Sequence, residues 1–225
     1  MSAPAIESLE LPGRELTVSP AAVARYLGMG RTAPQEETAE LIARCIRDVQ
    51  SAARCRACWT EVPVRTEAAE SDFGALRIPG ASLAKNLAGC SRAILFAATI
   101  GAEPDTQRRR AAVTHPSRAA VLDAAGTAAV EAFCDVLCGR WRQTHPTLFL
   151  RPRFSPGYGD VPLAVQRELL PFLDSGRRAG ICLTDALLMV PQKSVSAVVG
   201  LGEKGCTAGV HDCALCSRTD CAFRL

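Results

Sequence analysis

Three groups of residues in this 225-residue chain combine types and spacings suited to chemistry. The first is the run Arg153-Phe154-Ser155-Pro156-Gly157-Tyr158-Gly159-Asp160, preceded by Pro152. Two prolines and two glycines so close together exclude regular helix or strand and leave a rigid loop. Arginine offers a planar fork of donors matched to a carboxylate or a phosphate. Glycine lets a ligand approach the main chain, and tyrosine adds an aromatic face and a hydroxyl. A carboxylate-bearing ligand with a flat or cationic portion would satisfy all of these; the plain alternative is a surface turn with an incidental arginine.

The second group, Leu183-Thr184-Asp185 and Lys193-Ser194-Val195-Ser196, follows the loop. Its hydroxyls and carboxylate read first as turn and sheet residues satisfied by local hydrogen bonds, with Ser194-Val195-Ser196 also a candidate surface strip. The third group is C-terminal: Cys206, Cys213, Cys216 and Cys221 in a C-x6-C-x2-C-x4-C pattern with His211 inside it. Four thiolates at this spacing are enough for a tetrahedral zinc site or an iron–sulfur cluster; the alternative is a set of reduced, unligated thiols. Cys55 and Cys58 form a lone C-x2-C, for which a structural role outweighs a redox dithiol. Cys45, Cys90, Cys134, Cys138 and Cys182 lie in apolar patterns and read as buried fillers.

These groups need elements to position them. Pro34, Gln35 and the acidic Glu36-Glu37 start an amphipathic helix of about five turns, with Leu41, Ile42, Cys45, Ile46 and Val49 on its apolar face. Trp59 to Thr66 and Ala75 to Ile78 read as strands, and a short helix follows Pro79-Gly80, capped by Ser82 and closed by Gly89. The continuous apolar run Ala93 to Ile100 predicts a central strand buried on both faces. From Pro116 to about Gln143 a wide apolar stripe marks the longest helix, in which Gly126 implies close approach by another element. Pro162 starts a helix through Leu173, and Ile181–Met189 and Ser194–Leu201 read as two β segments. One α+β domain over residues 1–203 with a cysteine-rich tail, 204–225, is the simplest organisation.

Composition narrows the function. Apolar residues make up 48% and charged residues 22%, the balance of an ordinary globular domain. The net charge of +3 is spread along the chain and does not call for nucleic acid, and no apolar run approaches the roughly 20 residues of a membrane span. Eleven cysteines behind an N-terminus without a basic, then apolar, signal point to a reducing cytoplasm.

In order and spacing, Arg153-x-Ser-Pro-Gly-Tyr-Gly-Asp, the Leu-Leu-x-Phe-Leu helix end, Leu183-Thr184-Asp185 and Ser194-Val195-Ser196 resemble the activation domain of cobalamin-dependent methionine synthase across residues 150–200, with Glu131-Ala132-Phe133 extending the match upstream. The resemblance implies a C-shaped domain of helices around a twisted antiparallel sheet. It also implies binding of S-adenosylmethionine and docking on a partner's cobalamin domain, where cob(II)alamin is reduced by an electron donor and remethylated. By position, Arg153 would hold the methionine carboxylate, Glu131 the cationic amino-acid end, Ser155 and Gly157 main-chain contacts, and Tyr158 the ligand's side. The family's second glutamate aligns with Thr147, and the tyrosine-bearing strand that follows Ser-Val-Ser has no counterpart. The chain carries no Asp-x-His-x-x-Gly cobalamin motif, so cobalamin belongs to the partner. The expectation is therefore a free-standing accessory protein of methionine synthase. Alternatives are a non-catalytic interaction protein or an iron–sulfur electron carrier serving a corrinoid methyltransferase.

Overall fold

The computed structural model describes residues 5–30 and 33–203. Its organising element is the predicted central strand, the middle one of a five-stranded sheet. In chain order the elements are β1 (Glu7–Pro12), α1 (Pro20–Tyr26), α2 (Glu36–Ala52), β2 (Arg54–Pro63), β3 (Arg65–Glu67), β4 (Glu70–Asp72), β5 (Arg77–Pro79), α3 (Ala81–Asn86) and β6 (Cys90–Thr99). They continue with α4 (Glu103–Thr114), α5 (Pro116–Thr144), β7 (Phe149–Leu150), α6 (Gln166–Phe172), α7 (Ser175–Ala179), β8 (Cys182–Leu183), β9 (Met189–Val190) and β10 (Ser194–Gly202).

Ala93 to Thr99 of β6 are buried without interruption, so this strand needs neighbours and cover on both sides. Its neighbours are β2 and β10 in a five-stranded sheet of order β1-β2-β6-β10-β7, with every pairing antiparallel. The fold is therefore α+β, with a curled antiparallel sheet. Side chains alternate along β6: Ile94, Phe96 and Ala98 enter one core with α1, α2 and α5, while Ala93, Leu95 and Ala97 enter another with α3, α6 and α7. Each fully buried large side chain, such as Phe96 or Leu95, contributes about 1.5–3 kcal/mol of transfer free energy. On the α5 side Trp141 sets its ring edge against Phe96 and Trp59, with centroids 5.2 and 5.9 Å apart. Cys55 and Cys58, three apart on β2, fall in different cores. A redox dithiol is thereby excluded, and burial pushes their thiols up to about 12 and about 11.

Several elements differ from the sequence expectation. β2 begins at Arg54 rather than Trp59, because Cys55 and Ala57 are already inward-facing. The helix α4 has no apolar stripe to announce it; only Pro104, Asp105 and Ala111 are buried along its length. The segment from Ile181 to Met189 is two two-residue strands joined by a turn in which Leu188 N–H donates to Thr184 Oγ1 at 3.1 Å. Pro162 opens a short 3-10 turn, Leu163–Val165, before α6. Cys182 is exposed and Cys90 half-buried, so neither is a core filler. Among the described residues no helix is long and apolar enough to cross a membrane.

The two cores meet the sheet edge tightly at Gly200 of β10. A Cβ there would lie 2.7 Å from Leu87 Cδ2, 2.8 Å from Cys90 Sγ and 2.9 Å from Arg151 Cγ. Gly200→Ala is expected to destabilise the fold by about 1–3 kcal/mol through overpacking, seen as a lower urea midpoint; an unchanged midpoint would contradict the close approach.

Candidate functional site

The long helix α5 carries Asp123, Thr127, Glu131 and Asp135 at intervals of four, so they share one face. Two basic side chains from either side of β10 reach that face. Lys193, just before the strand, places Nζ 3.0 Å from Asp123 Oδ1 and 2.9 Å from Thr127 Oγ1. Its stem runs over Gly126, where a Cβ would stand 3.2 Å from Lys193 Cγ and Cε, and this is the close approach that the glycine implied. The other basic side chain is Arg153.

Arg153 is aimed by its neighbours. Phe154 N–H donates to Val198 O and Val198 N–H to Phe154 O, both at 2.9 Å, which fixes the chain beside β10. From there the Arg153 fork spans two carboxylates on α5: Nη2 to Glu131 Oε2 at 2.8 Å and Nη1 to Asp135 Oδ1 at 2.6 Å. Nη1 also reaches Cys138 Sγ at 3.7 Å. Its side chain is only 24% exposed. Burial is the largest single influence and opposes the charge, but the Asp135 hydrogen bond and the other favourable contacts around the fork together outweigh it and hold the guanidinium above its ordinary range. Burial pushes the Cys134 and Cys138 thiols up, so the cysteines under the arginine stay protonated. Tyr26, at the end of α1, has its phenol raised by burial and then by the nearby Glu131 charge. The site therefore joins α1, α5 and the loop.

The loop is held at its far end as well. Asp160 accepts from Ala81 N–H at 2.7 Å and from Ser82 N–H at 2.9 Å, capping α3 from outside. Gly80, not Ser82, occupies the N-cap position of that helix. Gly159, at φ +56°, is so close that a Cβ would meet Ser82 Oγ at 2.6 Å. Within the loop, Gly157 N–H donates inward to Val161 O and Ser155 O accepts from Tyr158 N–H. Tyr158 is 64% exposed, with its ring edge-on to Phe154 at 6.4 Å.

Of the residues singled out from sequence, Glu131 and Arg153 are in direct contact, and Ser155, Gly157 and Tyr158 follow on the same loop. Ser194 Oγ donates to Pro191 O at 2.7 Å, the structural role expected of it. Ser196 is buried beneath α6, where it accepts from Gln166 Nε2 at 3.3 Å, so it lines no surface. Asp135 and Tyr26 were not anticipated, and Lys193 stood in a quoted motif without its contact to α5 being expected. Asp135 stands one helical turn beyond Glu131, which was the available signal. Cys206, Cys213, Cys216 and Cys221 lie outside the described residues. Among the described residues, no three His, Cys, Asp or Glu side chains are grouped to hold a metal.

No protein-family model matches the chain, and no curated protein matches it. Among solved structures, a crystal structure of the MetH reactivation domain bound to AdoHcy matches with a TM-score of 0.61 at 15% identity, over 88% of this chain and 78% of that one. This chain has the fold of a MetH reactivation domain. The α+β architecture expected from the sequence agrees with this likeness.

The Asp160 clamp predicts a pH dependence. Hydrogen bonds from the Ser82 and Ala81 amides hold its carboxyl below the usual 3.8, so its stabilisation is present above that value and is lost as pH falls through the depressed folded pKa. Wild type should be more stable than Asp160→Asn at pH 7, with the gap closing in thermal melts as pH drops below 3.8; a gap constant down to the acid limit would refute the clamp.

Proposed function

We propose that this chain is a reactivation module for a cobalamin-dependent methionine synthase. It binds S-adenosylmethionine beside Arg153 and docks on the cobalamin domain of a partner. The reaction delivers one electron, from a separate donor, and one methyl group to the partner's cobalt; S-adenosylmethionine supplies the methyl and leaves as S-adenosylhomocysteine. The chain's own part is to bind and orient the sulfonium donor rather than to move protons.

The observation that carries this reading is the Arg153–Glu131–Asp135 cluster, on a fold like that of a domain bound to AdoHcy. Three of the five guanidinium N–H groups are used internally, which leaves two for a ligand carboxylate. The two carboxylates and one guanidinium carry one net negative charge. S-adenosylmethionine, with a sulfonium, an ammonium and a carboxylate, carries one net positive charge, whereas S-adenosylhomocysteine carries none. Electrostatics therefore favours the methyl donor over its product. Tyr158 and Tyr26 supply aromatic flanks to the cluster.

Calorimetry tests the reading. Arg153→Ala should weaken S-adenosylmethionine binding by about ten- to hundred-fold, the loss of hydrogen bonds to a charged group. Asp135→Asn should weaken S-adenosylmethionine more than S-adenosylhomocysteine. Wild-type binding by Arg153→Ala would remove the site assignment. No binding by the wild-type protein would favour a docking protein without the ligand, a reading motivated by the inward-turned Gly157 amide and by Thr147 in place of a carboxylate.

The tail thiols Cys206, Cys213, Cys216 and Cys221 are proposed as ligands of zinc or an iron–sulfur cluster, the latter offering an entry for the electron. Metal analysis of anaerobically purified protein should find stoichiometric zinc or iron that is lost in the Cys213→Ser/Cys216→Ser variant; a metal-free wild type would refute the site.

A further inference from the structure

About 20 Å along α5 from Glu131, at 1.5 Å per residue, the first turn of the same helix forms one wall of a separate cavity. That cavity, about 420 Å³, is lined by Leu41, Arg44, Arg47 and Asp48 of α2 and by His115, Ser117 and Arg118 at the α4–α5 corner. Three guanidinium groups face one carboxylate. Arg118 is held by Asp48 Oδ2 at 3.0 Å, whereas Arg44 and Arg47 have no ion-pair partner among the described residues.

This arrangement breaks local rules, and of its three arginines only Arg118 has an ion-pair partner among the described residues to compensate. Arg44 and Arg47 sit one turn apart on α2, where like charges repel. Arg118 occupies the first turn of α5, where an acidic residue would be favoured, and the turn holds none. Pro116 stands at the first helical position and no side chain caps the helix, so the N–H groups of Ser117 and Arg118 also lack intrahelical acceptors. Positive groups are gathered from two helices around an empty volume, and unsatisfied donors accompany them. Local conflict of this kind is characteristic of functional sites.

We propose that this cavity is an anion site for a phosphate monoester. A phosphate dianion presents several oxygens to the arginine forks and to the Ser117 hydroxyl, which is the geometry guanidinium groups read best. The volume lies within the range of small-molecule pockets, so the phosphate can carry a body of about nucleoside size, for which Leu41 offers an apolar contact. The site is independent of the Arg153 cluster, and the charge of its ligand is opposite.

The test is calorimetry and thermal shift of the full chain with inorganic phosphate and with adenosine monophosphate, against sodium chloride at equal ionic strength. The expected result is saturable binding that falls at least about tenfold in Arg44→Gln/Arg47→Gln, through the loss of charge-assisted hydrogen bonds, and that is unchanged in Arg153→Ala. Both substituted side chains are exposed, so the variant should melt with wild type in chloride. Arg47→Gln alone, with a smaller loss, serves if the double variant does not fold. Absence of saturable binding beyond the chloride control, or equal binding by the variants, would overturn the proposal. Binding of nucleic acid or anionic vesicles without binding of either phosphate probe would overturn it too.

Discussion

A strand that is apolar on both faces governs this molecule. Because Ala93 to Thr99 of β6 expose nothing to water, the chain must cover the sheet twice, with α2 and α5 on one side and α3, α6 and α7 on the other. The polypeptide therefore has to change sides between α5 and α6. It does so past the outer edge of β10, pairing briefly as β7 and again at Phe154. Arg153 is the residue next to that last pairing, and the carboxylate face of α5 is what it meets. The location of the candidate site is thus a consequence of where the chain must cross an edge.

That crossing is fastened by charge. Arg153 and Lys193 approach α5 from segments flanking β10, and between them they pair with Asp123, Glu131 and Asp135. Both cations are largely covered, with 24% and 15% of their side chains exposed. Pairs at that depth lose hydration as well as gaining attraction, so their net contribution to stability is modest. Their larger effect is directional, because they set the distance between a helix and a sheet edge at the place where a ligand would lie.

How much of this was readable in the residues depends on what burial writes into sequence. The β6 run, the Ser194–Leu201 strand and the α5 stripe are covered by apolar partners, and apolar types mark them. Glu131 and Arg153 stood out through motif order. Asp135 did not, since a carboxylate on an outward helix face has the same signature whether it holds an arginine or faces water. The helix α4 escaped for a related reason: the residues it buries, Pro104, Asp105 and Ala111, form no apolar stripe. The expected strand at Ile181–Met189 failed because its leucines do not all point inward: Leu187 takes φ +60° and Leu188 is exposed. Ser82 was the locally plausible cap for α3, but the actual acceptor, Asp160, comes from far along the chain.

That long reach has a consequence for how the protein assembles. Asp160 and Ala81 are 79 positions apart, so the loop that carries Arg153 is not stiff by its own prolines alone. Its far anchor is the start of α3, in the first half of the polypeptide. Closing so large a chain loop costs entropy before any contact rewards it, and contacts of this separation slow folding. The candidate site is therefore assembled by the complete topology rather than by any local stretch.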